Sequence, residues 1–143
     1  MIRDALSSFL FTTASGITAT SDKVGAAIAG AGTYFSDAID TKTGGFGVLA
    51  PLVVAILWNA AANASGSNAV TFTVQISTDG TNYFDLTTDN INAVALTTTA
   101  KNDTTNIRVA SVRRYFRLKI VVSGAGTSPV ITIKSAQPTP SRA

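Results

Sequence analysis

Between Ala69 and Leu86 apolar and polar residues alternate with a two-residue period: Val70, Phe72, Val74 and Ile76 on one side, Thr71, Thr73, Gln75 and Ser77 on the other. That is the signature of a half-buried β-strand. Thr78-Asp79-Gly80-Thr81-Asn82 follows with turn chemistry, because Asp bonds the backbone just ahead of it and Gly accepts positive φ. Tyr83–Leu86 then resumes an extended pattern, which predicts a β-hairpin. A second clear strand is predicted over Arg113–Val122, with Phe116, Leu118, Ile120 and Val122 on one face. Arg113, Tyr115, Arg117 and Lys119 take the other.

The remaining chain repeats this theme less clearly. Val48–Trp58 is the most hydrophobic run, too short for a membrane helix and interrupted by Pro51. It reads as a core strand buried on both faces, with Pro51 near its start. Ile17–Thr20 reads as a short strand, Ala26–Ala29 as a strand or one helical turn, and Tyr34–Asp40 as an extended or helical link. Ile91–Leu96 is a weak strand, Thr97–Thr105 a polar loop, and Ile107 and Val109 open the next strand. Pro129–Lys134 is a closing strand. Gln137-Pro138-Thr139-Pro140 is expected to end pairing, since proline cannot donate a ladder bond. About eight short strands separated by turns predict an all-β fold, an antiparallel β-sandwich or jelly roll with an N-terminal arm and long loops. The expected division is an arm and first strand over 1–21, a sandwich over 22–136 with glycine-rich loops at 22–47, and a tail over 137–143.

Composition agrees. Of 143 residues, 45% are apolar and only 13% charged, and Glu is absent. Missing Glu with abundant Thr and Val favours strands over helices. A chain of this length buries roughly 70% of its unfolded surface as one domain. Met1–Ser21 lacks the layout of a secretory signal, because Asp4 directly follows Arg3 and Phe9-Leu10-Phe11 is too short.

The candidate chemistry is mostly a set of absences. With no histidine or cysteine there is no Ser-His-Asp triad, no Cys-His pair and no thiolate metal site. Gly25–Gly32 lacks the Gly-Lys-Ser/Thr of a phosphate loop. Asp37 with Asp40, or Asp85 with Asp89, offers paired carboxylates, each in a polar loop context where a solvated aspartate is the ordinary outcome. The expectation is a non-enzymatic chain with no catalytic residue, metal or cofactor. Lys101, Arg108, Arg113, Arg114, Arg117 and Lys119 form a basic cluster opposed locally only by Asp103. Its outward stripe, with Tyr115 between cations, fits a solvated face, a protein contact or a nucleic-acid contact. The net charge of only +3 weighs against the last.

Taken in order, the pieces resemble the small jelly-roll capsid cement (decoration) proteins of tailed, especially short-tailed, bacteriophages. The features that carry the resemblance are Ile17-Thr18-Ala19-Thr20, the run Pro51–Leu57, the Val70–Ser77 strand with Thr78-Asp79-Gly80, and Arg114-Tyr115-Phe116-Arg117-Leu118-Lys119-Ile120. The resemblance covers Leu49–Ala136 best. It implies a non-enzymatic protein on the outside of the mature head that bridges capsomers and resists packaged-DNA pressure. Its partners would be the major capsid protein and copies of itself, usually as a trimer, with no membrane and no direct nucleic-acid contact. On this reading Phe9, Phe11, Tyr34 and Phe46 are candidate apolar anchors, alongside Arg113, Arg117 and Lys119, although each aromatic could equally cap the chain's own core. Two alternatives remain: a head-completion, neck or tail protein, and a carbohydrate- or receptor-binding sandwich. Trp58, the only tryptophan, ends an apolar run and is expected to be buried.

Overall fold

Two antiparallel sheets face each other across one core. The computed structural model describes residues 9, 11, 17–19, 26–28, 30–40, 52–60, 69–86, 94–95, 101–109, 113–123 and 131–140. Its strands are β1 (Ile17–Ala19), β2 (Ala26–Ile28), β3 (Gly32–Phe35), β4 (Ile39–Asp40), β5 (Leu52–Ala60), β6 (Ala69–Ser77), β7 (Phe84–Asp85), β8 (Val94–Ala95), β9 (Lys101–Val109), β10 (Tyr115–Ser123) and β11 (Ile131–Pro140). One sheet runs β1-β2-β11-β5-β9; the other runs β3-β10-β6-β7, with β4 also on β10 and β8 on β6. The fold is therefore the all-β sandwich of jelly-roll type that the alternation predicts. Among the described residues no helix is long and apolar enough to cross a membrane.

The core follows directly from the pleat. Val70, Phe72 and Val74 of β6 meet Phe116, Leu118, Ile120 and Val122 of β10 as buried neighbours. From the opposite sheet come Val54, Ile56 and Trp58 of β5, Ile107 and Val109 of β9, and Ile131, Ile133 and Ala136 of β11. Burying a side chain of this size stabilises the fold by roughly 1.5–3 kcal/mol. Trp58 also needs a partner for its indole N–H, and donates it to Thr105 Oγ1 on the adjacent β9 at 3.0 Å. Ser36 bridges β3 and β4: its N–H donates to Leu118 O and its Oγ accepts from Leu118 N. The break between the two short strands thus leaves both backbone groups of Leu118 bonded.

Several expectations need correction. β5 is buried on one face only: Val54, Ile56, Trp58 and Ala60 point inward, Val53 and Ala55 are half-buried, and Leu57 is 43% exposed. A two-layer sandwich has no third layer to cover it, and scattered apolar residues are common on surfaces. Pro51 lies outside the described residues. The part of the expected Thr97–Thr105 loop that is described belongs to β9, which begins at Lys101 and pairs with the whole of β5. Threonine suits a strand, and a nine-residue neighbour supplies the ladder. The C-terminal prolines do not end pairing either. β11 runs on to Pro140, with Pro138 opposite Val54 and Pro140 opposite Leu52, after a register shift between Ile133 and Ser135. Pairing with β2 stops at Ile133. Missing amides two residues apart face the same side of the strand, and among the described residues no strand pairs with β11 on the β2 side beyond Ile133, where proline is tolerated. Ala26–Ile28 takes the strand alternative, and the Tyr34–Asp40 link is extended.

Candidate functional site

The outward face of the six-stranded sheet carries the densest polar organisation among the described residues. Its centre is Arg117 on β10. The guanidinium carbon lies 4.0 Å from the Phe35 ring centroid and 3.9 Å from that of Tyr83. Phe35 comes from β3, on one side of β10, and Tyr83 leads into β7, beyond β6 on the other, so the cation lies between the rings. Each such cation–aromatic contact is worth about 0.5–2 kcal/mol, more as water is excluded.

A chain of side-chain hydrogen bonds holds this cation in place. Arg117 Nε donates to Gln75 Oε1 at 2.9 Å, and Gln75 Nε2 donates to Asp85 Oδ1 at 2.8 Å. Lys119 Nζ lies 3.0 Å from Asp85 Oδ2. The register explains the meeting: Gln75 stands opposite both Arg117 on β10 and Asp85 on β7. The Gln75 amide holds the Asp85 carboxyl below the usual carboxylate range, with Lys119 adding to the effect. Burial pushes Tyr83 upward and Arg117 downward from their ordinary values.

The same face continues into the β6–β7 turn. Asp79 Oδ1 accepts from the N–H groups of Thr81 and Asn82 at 2.8 Å each, and Oδ2 accepts from Asn82 Nδ2. The Asn82 and Thr81 amides, in that order, hold Asp79 far below its ordinary value. Gly80 takes φ +76°, and a Cβ there would lie 3.3 Å from the Tyr115 ring. Arg114 sits over the Tyr115 ring at 5.0 Å and makes a two-pronged ion pair with Asp40 on β4, at 3.0 and 3.2 Å. That pair raises Arg114 above its usual value.

The anticipated residues separate into three groups. Arg117 and Lys119 share the outward face with Tyr115, and half-buried Arg113 precedes the strand. Phe9 and Phe11 are buried in the core; Phe9 also donates its N–H to Ala136 O. Their side chains offer no surface to a partner in this fold. Tyr34 is half-buried, its hydroxyl donating to Gly30 O at 2.7 Å, and Phe46 lies outside the described residues. Of the candidate carboxylates, Asp85 is bound to Gln75 and Lys119 and Asp40 to Arg114, while Asp89 lies outside the described residues. Among the described residues no three His, Cys, Asp or Glu gather to hold a metal.

Phe35, Gln75 and Tyr83 were not singled out in the sequence, and Asp85 only as one half of a carboxylate pair. Three of them were within reach, because a hairpin turning at Thr78–Asn82 puts Gln75 opposite Asp85 and places Tyr83 and Asp85 on one face. Phe35 has no local signal; only the pairing of β3 with β10 brings it there.

No family model and no curated protein matches the chain. Solved structures share its fold. A xylan-binding module, CBM15, superposes with a TM-score of 0.57 at 21% identity, over 92% of this chain and 86% of that one. The N-terminal cellulose-binding domain of Cellulomonas fimi β-1,4-glucanase C gives 0.50 at 11% identity, over 94% and 89%. Xylanase10C from Cellvibrio japonicus, in complex with xylopentaose, gives 0.56 at 22% identity over 92% of this chain, which spans only 25% of that enzyme.

Proposed function

We propose that this chain is a non-enzymatic attachment protein, a cement protein that grips the outside of a bacteriophage head and reinforces it. The observation that carries the reading is the outward sheet face, where a cation stands over one face of each of Phe35, Tyr83 and Tyr115. A platform that stacks sugars needs an open ring. Trp58 is buried, Arg117 occupies one face each of Phe35 and Tyr83, and Tyr115 lies against Arg114 and Gly80. What remains is a cross-linked polar surface, with Lys119 and Arg114 ion-paired and Arg117 unbalanced among the described residues, suited to a protein partner. The sequence resemblance supplies that partner: the major capsid protein, approached by a trimer of this chain. A specific contact needs roughly 1,200–2,000 Å² of buried surface, and three joined copies would turn modest contacts into firm attachment.

The test is co-sedimentation of purified protein with expanded, DNA-free heads and with procapsids of the encoding phage, together with a count of copies per virion. Saturable binding to expanded heads, at a copy number that scales with the capsomers, is the expected result. A copy number that matches one ring at a single vertex would move the protein to the neck or tail.

A second reading, a carbohydrate-binding module, rests on a separate observation. Phe84 on edge strand β7 is 67% exposed, on the side of the strand opposite Asp85. The xylan- and cellulose-binding structures of this fold lean toward this reading, although at 11–22% identity they carry the fold alone. Binding to xylan or cellulose oligosaccharides that Phe84→Ala abolishes, with no binding to heads, would replace the cement reading.

A further inference from the structure

Arg117 uses only part of its bonding capacity inside the protein. Its Nε–H is taken by Gln75 and its flat faces by Phe35 and Tyr83. The two terminal amino groups, four N–H donors in a fixed fork, have no acceptor among the described residues. A cation whose faces are walled by rings and whose Nε is anchored has already lost the rotamer freedom that binding would otherwise cost it.

We infer that the free fork of Arg117 is the recognition point of the sheet face, taking one carboxylate of an Asp or Glu side chain on the partner protein. This rests on the protein-attachment reading above and names the contact within it. A planar carboxylate matches the fork with two parallel hydrogen bonds. The surrounding charge favours a singly charged acceptor: Lys119 is already neutralised by Asp85, so among the described residues Arg117 is the unbalanced charge of this network. A doubly charged phosphate would meet the Asp85 carboxylate held close by through Gln75. Gln75 and the two rings are positioning residues; Arg117 alone touches the ligand.

The experiment follows the guanidinium nitrogen and proton resonances of Arg117 in the full chain during titration with three probes: a Glu-containing peptide, methyl glucuronide and inorganic phosphate. The peptide is expected to produce a saturable shift at the terminal N–H groups. Arg117→Lys, which keeps the charge and loses the fork, should weaken peptide binding at least tenfold. Gln75→Leu should weaken it less while the fork remains. Circular dichroism and melting of each variant establish that it is folded, and the wild-type titration decides the matter even if a variant is not. No saturable shift, equal binding by Arg117→Lys, or preference for the glucuronide or phosphate would overturn the inference. Head binding is measured in parallel: heads that bind wild type and Arg117→Lys alike sink this contact and spare the cement reading. Heads that bind neither sink the cement reading, and the peptide titration still judges the fork.

Discussion

The Phe9 ring meets the Phe116 ring edge-on, with centroids 5.5 Å apart and planes at 87°. Phe116 is the core-facing neighbour of Arg117 on β10, so a residue near the N-terminus supports the inside of the strand whose outside carries the candidate site. Phe9→Ala should therefore destabilise the protein by about 3–5 kcal/mol, the range for removing a buried phenylalanine. A denaturation midpoint that falls at unchanged slope would show it. A loss under about 1 kcal/mol would mean that Phe9 is not seated in the core.

Trp58 and Thr105 form a buried pair across β5 and β9. Thr105→Val removes the acceptor and strands the indole N–H, at a cost of about 1–3 kcal/mol. The double change Trp58→Phe with Thr105→Val should cost less than the sum of the two single changes, because neither polar group is then left alone. Equilibrium unfolding of the four proteins measures this coupling. Additive losses would show that the bond contributes nothing of its own.

The turn at Gly80 holds φ +76° against Tyr115. Gly80→Ala must place a Cβ in the left-handed region, at about 1–2 kcal/mol, and also press on the ring. A lowered melting temperature is expected. Gly80→Asn should not restore it fully, because the ring crowds any Cβ at that position.

Acid should weaken the fold through its hydrogen-bonded aspartates. Asp79 and Asp85 both have folded values below their unfolded ones, so they favour folding once pH exceeds about 4, the unfolded carboxylate value. That contribution is lost as pH falls further, through the depressed folded values. Stability measured by denaturant from pH 7 to pH 2 should be nearly level to about pH 4 with respect to these groups and then decline. Asp79→Asn should make the acid limb shallower; an unchanged limb would show that the turn's amides do not favour the ionised form.

The strands with strong alternation were legible because each writes its own burial pattern. Val70, Phe72 and Val74, and Phe116 through Val122, need no knowledge of their neighbours to show which side faces the core. β9 was half missed because Thr104 and Thr105 are polar in composition, and only the length of β5 beside them turns that stretch into a strand. Pro138 and Pro140 misled for a related reason: proline's missing amide matters only on a side where a neighbour waits for it. For Phe9 and Phe11 the residues allowed either docking or core, and the choice depended on whether the sandwich left room between its sheets.

Period-two patterning with turn residues thus determined, without any coordinates, that this protein is an all-β sandwich and that Tyr115, Arg117 and Lys119 share its outward side. Those are local properties, set by the pleat of one strand. The tertiary structure alone decided that Arg117 lies between Phe35 and Tyr83, that Gln75 and Asp85 anchor it, and that Asp40 answers Arg114. Such contacts depend on which strands become neighbours and in what register. That is fixed by the summed burial of both sheets rather than by any one segment.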